Sequence, residues 1–142
     1  MPQIEGIKVL FVAGFGPIVQ SFSDSRRLYL ETLGLPLKAM PDDPNYLNGE
    51  NIDGVRHFAL WPIAQAAQSC FGSSTWPADI PAPNAWLEFD VEDVAASTQV
   101  LKQRGYELLV ENRKEPWGQI VTRLLSPEGL LIGLTFTPWM RG

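Results

Sequence analysis

Three side chains able to move a proton or hold a metal ion stand on two short apolar segments: His57 in "VRHFALWP" (55–62), and Glu88 and Asp90 in "AWLEFDV" (85–91). Imidazole and carboxylate are the usual acid–base groups near neutrality. A divalent ion needs about three N, O or S ligands fixed in space, so these three form the smallest set that could supply a site. Acid–base work by Glu88 alone is the other chemistry open to them. Strict alternation in "AWLEFDV" puts Trp86 and Glu88 on one face of a strand and Leu87 and Phe89 on the other. A carboxylate on an inward face is costly unless a cation or donor meets it. Glu88 therefore calls for a basic partner: Arg56, Arg123 or a cationic ligand. Cys70 is the sole cysteine, which excludes an internal disulfide and a thiolate zinc site, and it reads as a small buried residue.

The elements that must position these groups can be read from pattern. A chain of 142 residues with 45% hydrophobic content suits one domain with a real core. No run approaches the ~18 apolar residues of a membrane span, the N-terminus lacks the order of a secretory signal, and the reading is a cytoplasmic protein. A net charge of −5 with no Lys/Arg cluster gives nucleic acid no electrostatic footing. Residues 7–20 read as a strand entering a loop, 23–33 as a helix ended by Gly34, and 55–62 as a buried strand stopped by Pro62. The proline-rich stretch 73–85 is a connector. The order then recurs, with strand 85–91, a helix over 92–104 ended by Gly105, and strands in "YELLVE", "QIVTRLL" and "GLLIGLTF". Val19 matches Val91, Phe22 matches Val94, Ser25 matches Ser97, Gly34 matches Gly105 and Gly54 matches Gly129, at offsets of 71 to 75. Such a repeat is two copies of a βαβββ unit, with module one at 7–63 and module two at 85–138.

Two βαβββ halves, "RRLYLETLGLPL" (26–37) and "EPWGQ…SPEGLLIGL" (115–134) together resemble the vicinal oxygen chelate superfamily, which includes glyoxalase I, extradiol dioxygenases and the bleomycin-resistance proteins. The resemblance covers roughly residues 7–139. It implies an α+β fold in which a mixed sheet curls into a cup with helices outside. Metal-using members hang a His from the first strand of each half and a Glu from the last. Matched residue by residue, those places fall on Gly14, Trp86, Phe58 and Gly133, none of which is a ligand, so the resemblance implies a cup with no metal and no other cofactor.

With Trp86 and Phe58 in those places the floor would be aromatic, and Gly14 and Gly133 would leave room above it for a flat ligand. The same alignment turns His57 toward the helix side, as a packed structural residue. Trp117 lines the pocket mouth or anchors its turn, and Trp61 packs in the core. Trp76 and Trp139 serve a dimer contact or cover an edge strand. Asp24, Arg26, Arg27 and the charges from Glu111 to Glu115 are solvated. The expected function is metal-free binding of a flat aromatic or cationic small molecule by Phe58, Trp86, Glu88, Trp117, Arg56 and Arg123 in a homodimer of the bleomycin-resistance type. Two rivals remain. One is a lyase, isomerase or dioxygenase using Glu88 or a relocated metal; the other is an accessory domain whose cup is filled by its own side chains.

Overall fold

The computed structural model describes residues 7–141. Strand β1 (Val9–Val19) is β-branched and apolar enough to hold the sheet's centre. A helix follows at once, because Ser21 caps it by accepting from the Asp24 amide at 3.4 Å. Helix α1 (Phe22–Arg26) runs on into a π-helical stretch, Arg27–Thr32. Gly34 then turns the chain out with φ +69°, a left-handed conformation that costs a glycine little. Three strands complete the half: β2 (Lys38–Met40), β3 (Asp43–Gly49) and β4 (Phe58–Pro62).

After helix α2 (Ile63–Phe71) and the connector, the second half repeats the plan. It comprises β5 (Ala85–Val91), α3 (Val94–Gln103), β6 (Val110–Lys114), β7 (Ile120–Leu125) and β8 (Leu131–Phe136). Its helix is capped by Asp93, 72 residues after Ser21, accepting from the Ala96 amide at 3.0 Å. Gly105 leaves it with φ +84°, as Gly34 does in the first half. The second strand of this half, β6, begins later than "YELLVE" suggests, and Asn112 at φ 47° breaks its register between Val110 and Arg113.

All eight strands join one mixed sheet in the order β2-β3-β4-β1-β5-β8-β7-β6. Within each half the first and last strands pair parallel, β1 with β4 and β5 with β8, and the halves meet where β1 and β5 pair antiparallel. One face of the sheet is covered by α1 and α3. Val19, Leu37, Leu47 and Leu60 pack with Phe22, Tyr29 and Leu30 under the first, and Val91, Val94 and Leu134 with Leu101 under the second.

The other face is concave, and α2 spans it. Gln65 Nε2 bonds both carboxylate oxygens of Asp43 on β3 at 3.0 Å, while the Ser69 carbonyl accepts from the Arg113 guanidinium on β6. Six strand spacings separate β3 from β6, roughly 29 Å in a flat sheet. Four helical residues rise only about 6 Å, so the sheet must curl to bring β3 and β6 within side-chain reach of one short helix. Ala66 and Cys70 of α2 press onto Trp86, Val110, Ile18 and Leu131 inside the curl. The expected cup is present, but one helix lies across it instead of outside.

A candidate ligand site inside the cup

Cross-strand register sets one row of residues across the middle of the cup. Gly14 pairs with Glu88, Glu88 with Gly133, and Gly133 with Arg123. On the other side of Gly14 stands His57, whose carbonyl accepts from the Phe15 amide at 3.1 Å and whose Cβ would lie 3.1 Å from a side chain at Gly14. Three ionisable residues thus alternate with two glycines along one line.

The glycines give their space to the protein itself. A Cβ on Gly14 would approach the Trp86 ring to 3.0 Å, and one on Gly133 would meet Glu88 Cγ at 2.9 Å. The room expected for a ligand above Gly14 and Gly133 is therefore taken by Trp86 and by the Glu88 side chain. Trp86 is only 4% exposed, donates from Nε1 to the Ala59 carbonyl at 3.2 Å and meets Trp61 edge-on at 6.3 Å. It is the back wall of the cup.

Of the basic partners that Glu88 could take, the structure chooses Arg123. The guanidinium Nη1 sits 3.1 Å from Glu88 Oε2, with the side chains 3% and 13% exposed. Arg123 lies over the Trp61 ring, 4.9 Å from its centroid. Gln119 adds a second donor, Nε2 reaching Glu88 Oε1 at 3.2 Å and Thr137 Oγ1 at 3.0 Å. Trp117 is 60% exposed and holds Gln119 from outside, its Nε1 donating to Gln119 Oε1 at 3.1 Å. A chain of contacts thus runs from the surface indole of Trp117 to the carboxylate in the cup. Arg123 Nε is buried with no hydrogen-bond partner among the described residues.

Two expected placements are reversed. Phe58 does not floor the cup: it packs with Tyr29 and the Leu37–Leu47–Leu60 cluster beneath α1, meeting Phe15 edge-on at 5.7 Å. His57 takes the cup side instead, 6.1 Å from Trp86, with Nε2 2.8 Å from the Tyr46 hydroxyl and Nδ1 3.6 Å from Glu50 Oε1. The count from Gly54 assumed a regular strand, but β4 begins only at Phe58, and a one-residue slip exchanges the faces. Tyr46 and Glu50 were missed for the same reason, since nothing in "DPNYLNGE" announces which residue faces inward. Burial, with the Glu88 charge adding to it, pushes the Tyr46 phenol well above its ordinary value.

Other residues lie elsewhere. Arg56 stacks 4.0 Å over Phe11 and donates to the Met140 carbonyl at 3.4 Å, beside a groove of about 770 Å³ lined also by Glu50, Asp53 and Trp139, so it does not reach Glu88. Asp90 is fully buried and saturated, accepting from Thr135 Oγ1 at 2.6 Å, Thr137 Oγ1 at 2.7 Å, the Thr137 amide at 2.9 Å and Arg141 Nε at 2.9 Å. Trp76 packs edge-on against Phe71 at 4.9 Å and Trp139 is exposed. Glu115, expected to be solvated, is buried. Burial raises the Cys70 thiol, which disfavours the reactive thiolate.

These residues do not fit a metal ion. Gly14 and Gly133 bring no donor, Trp86 brings an indole already bonded to Ala59, and Phe58 faces away. His57, Glu88 and Asp90 are each committed to protein partners. Among the described residues no group of three or more His, Cys, Asp or Glu side chains could hold one. No described helix is long and apolar enough to cross a membrane.

The comparisons agree with this architecture. A protein of the glyoxalase/bleomycin resistance protein/dioxygenase superfamily from Vibrio splendidus 12B01 superposes with a TM-score of 0.54 at 17% identity, over 91% of this chain and 97% of its own. A Streptomyces coelicolor methylmalonyl-CoA epimerase in complex with 2-nitronate-propionyl-CoA gives 0.54 at 14% identity, over 92% and 99%. A Bacillus halodurans protein gives 0.52 at 20%, over 91% and 93%. At these identities the likeness is one of fold. No curated protein matches the chain. The sequence profile of the Glyoxalase/Bleomycin resistance protein/Dioxygenase superfamily matches residues 15–134, and the chain belongs to that superfamily.

Proposed function

We propose that this chain is a metal-free small-molecule binding protein of the bleomycin-resistance type. Its ligand would be a flat aromatic compound carrying an oxygen acceptor, lodged against Trp61, Tyr46 and His57 above the Glu88–Arg123 pair. The observation that carries this reading is Arg123 Nε, a buried cationic donor with no partner among the described residues, beside an aromatic wall. An unmet buried donor costs about 1–3 kcal/mol, which an oxygen of the ligand would relieve. Since Arg123 and Gln119 already answer the charge of Glu88, the reading favours an aromatic ligand over a cationic one. A homodimer belongs to the same reading, supported by Val9, Val12 and Phe15, which β1 leaves exposed. Tryptophan fluorescence titrated with planar antibiotics should be quenched in the wild type and much less in Trp61→Phe; a silent panel would count against it. Trp86→Ala is a poor probe, because removing a buried Trp costs about 3–5 kcal/mol of stability by itself.

A second reading, an isomerase or lyase using Glu88 as an acid–base group, is favoured by the carboxylate's place at the centre of the cup row and by the epimerase among the structural neighbours. It predicts that Glu88→Gln, at a temperature where the variant is folded, abolishes turnover of a small oxygen-rich substrate found by screening. Retained turnover would discard it.

A further inference from the structure

We propose that helix α2 is a hinged lid, which closes the cup over the Glu88–Arg123 pair and swings out about Pro62 to admit the ligand, with the Arg113–Ser69 contact as its latch. The inference rests on the reading that the cup takes a small molecule, and it names how that closed site is reached.

The helix is fastened unequally at its two ends. At its start it continues β4 without a break, Pro62 being both the last residue of the strand and the N-cap of the helix. At its far end Gly72 takes φ +72° with nothing within 4 Å of the place a Cβ would occupy, and residues 73–75 beyond it are exposed. A joint at the end of an element with slack chain at the other end is the geometry of a hinge. Two polar ties connect the helix to the sheet between these points. Gln65, one turn from the joint, holds Asp43, and the Ser69 carbonyl, near the free end, accepts from the exposed Arg113 guanidinium. Trp76 packs edge-on against Phe71 and belongs to the moving unit. No strand pairing passes through α2, so the sheet keeps its ladders when the helix leaves.

What the helix covers does not suit a permanent core. Its buried side chains are Ala66, Ala67 and Cys70, with Ile63 and Phe71 half-buried beside them, and none of these offers a nitrogen or oxygen. Against them lie two groups left unmet: Arg123 Nε and Glu115 Oε1 are both buried with no partner among the described residues. Glu115 belongs to this face because its amide donates to the Gln119 carbonyl at 2.7 Å, which sets the two side chains on the same side of the hairpin. Burial raises the Cys70 thiol, and the charges of Arg123, Arg113 and Glu115 act on it in turn, so all three stand near the covered side of the helix. Each unmet buried group counts against the closed state by about 1–3 kcal/mol. Lifting α2 exposes both groups to water or to the ligand. Closure thus loses at its polar atoms part of what it gains at its apolar ones, the condition for a segment that opens without unfolding the rest.

Cys70 reports the motion. It is the sole cysteine and 5% exposed on the covered side of α2, so a disulfide reagent meets it only when the lid is out. In the wild type, labelling should run at a rate nearly independent of urea below the unfolding transition, at least about tenfold faster than global unfolding allows. Arg113→Gln should raise that rate about tenfold, as loss of a charged hydrogen bond does. Since Arg113 works against the burial that raises the thiol, removing the cation alone would slow the reaction, and a faster one reports opening. Gln65→Ala, near the joint, should raise the rate less. Labelling that follows the urea transition in every protein overturns the lid, and an effect of Gln65→Ala as large as that of Arg113→Gln overturns the hinge at Pro62. The ligand probe is anilinonaphthalene sulfonate, which joins flat rings to oxygen acceptors. It should quench tryptophan emission at a rate that levels off with dye concentration, at a plateau that Arg113→Gln raises severalfold. A rate that climbs linearly with dye and is equal in both proteins overturns the lid and leaves the binding reading standing. No quenching in either protein, beside a Cys70 that labels independently of urea, overturns the binding reading and leaves the opening of α2 supported.

Discussion

Glu88 and Arg123 are held by each other more than by anything else in the cup. Neutralising the acid strands a cation that is 3% exposed over Trp61, and breaking one side of such a buried pair typically costs about 3–5 kcal/mol. Glu88→Gln keeps an acceptor and should lie at the low end, about 3 kcal/mol by urea unfolding, whereas the paired change Glu88→Leu with Arg123→Met should recover most of the loss. Tyr46 gives a pH signature. Its phenol is raised above 10.0 in the fold, so the folded state favours the protonated form. The associated stability is complete below about pH 10 and is lost as pH climbs from there toward the folded value, at up to about 1.4 kcal/mol per pH unit. Urea midpoints between pH 9 and pH 11 should fall faster in the wild type than in Tyr46→Phe. Parallel curves would mean that Tyr46 is better hydrated than its packing suggests.

Among the elements, β1 tolerates least. A methyl on Gly16 would lie 2.0 Å from the Ala59 carbonyl oxygen, a backbone atom of the neighbouring strand that cannot move without breaking the β1–β4 ladder. Gly16→Ala should therefore destabilise by more than about 4 kcal/mol, seen as loss of the cooperative thermal transition, while Gly54→Asn, strained by its φ of +95° but with nothing within 4 Å, should cost about 1 kcal/mol and keep the transition. Strand β5 was legible from sequence because its alternation is unbroken: Trp86 and Glu88 do face the cup, and Phe89 does face α3. Helix α2 was not. "IAQAAQSCF" buries Ala66, Ala67 and Cys70, side chains too small to write a strong apolar stripe, and Pro62 before it offers no side-chain cap. The faces of His57 and Phe58 were misread because residues 55–57 lie outside the strand, so counting from Gly54 carried no register.

At the scale of the molecule, the tandem plan was readable in the matched glycines, which all prove to be left-handed exits: Gly34 and Gly105 after helices, Gly54 and Gly129 in turns. The filling of the cup was not readable. It depends on which side chains occupy the space two glycines leave open, and that is decided by three-dimensional contact between strands far apart in sequence. The sheet order carries one more consequence. The Lys8 carbonyl accepts from the Glu92 amide at 2.9 Å, and the Arg141 guanidinium reaches the Val91 carbonyl, so both ends of the described chain converge on the end of β5. Every strand pairing between the halves runs through β1 and β5 and none needs the covalent link from 72 to 84. The order in which the two halves are joined is therefore interchangeable. A circular permutant opened between Pro81 and Ala82, with residues 8 and 141 bridged by a flexible linker of about five residues, should reach the same fold and a melting temperature within a few degrees of the parent. A permutant that fails to fold would mean that the connector steers assembly, not merely spans it.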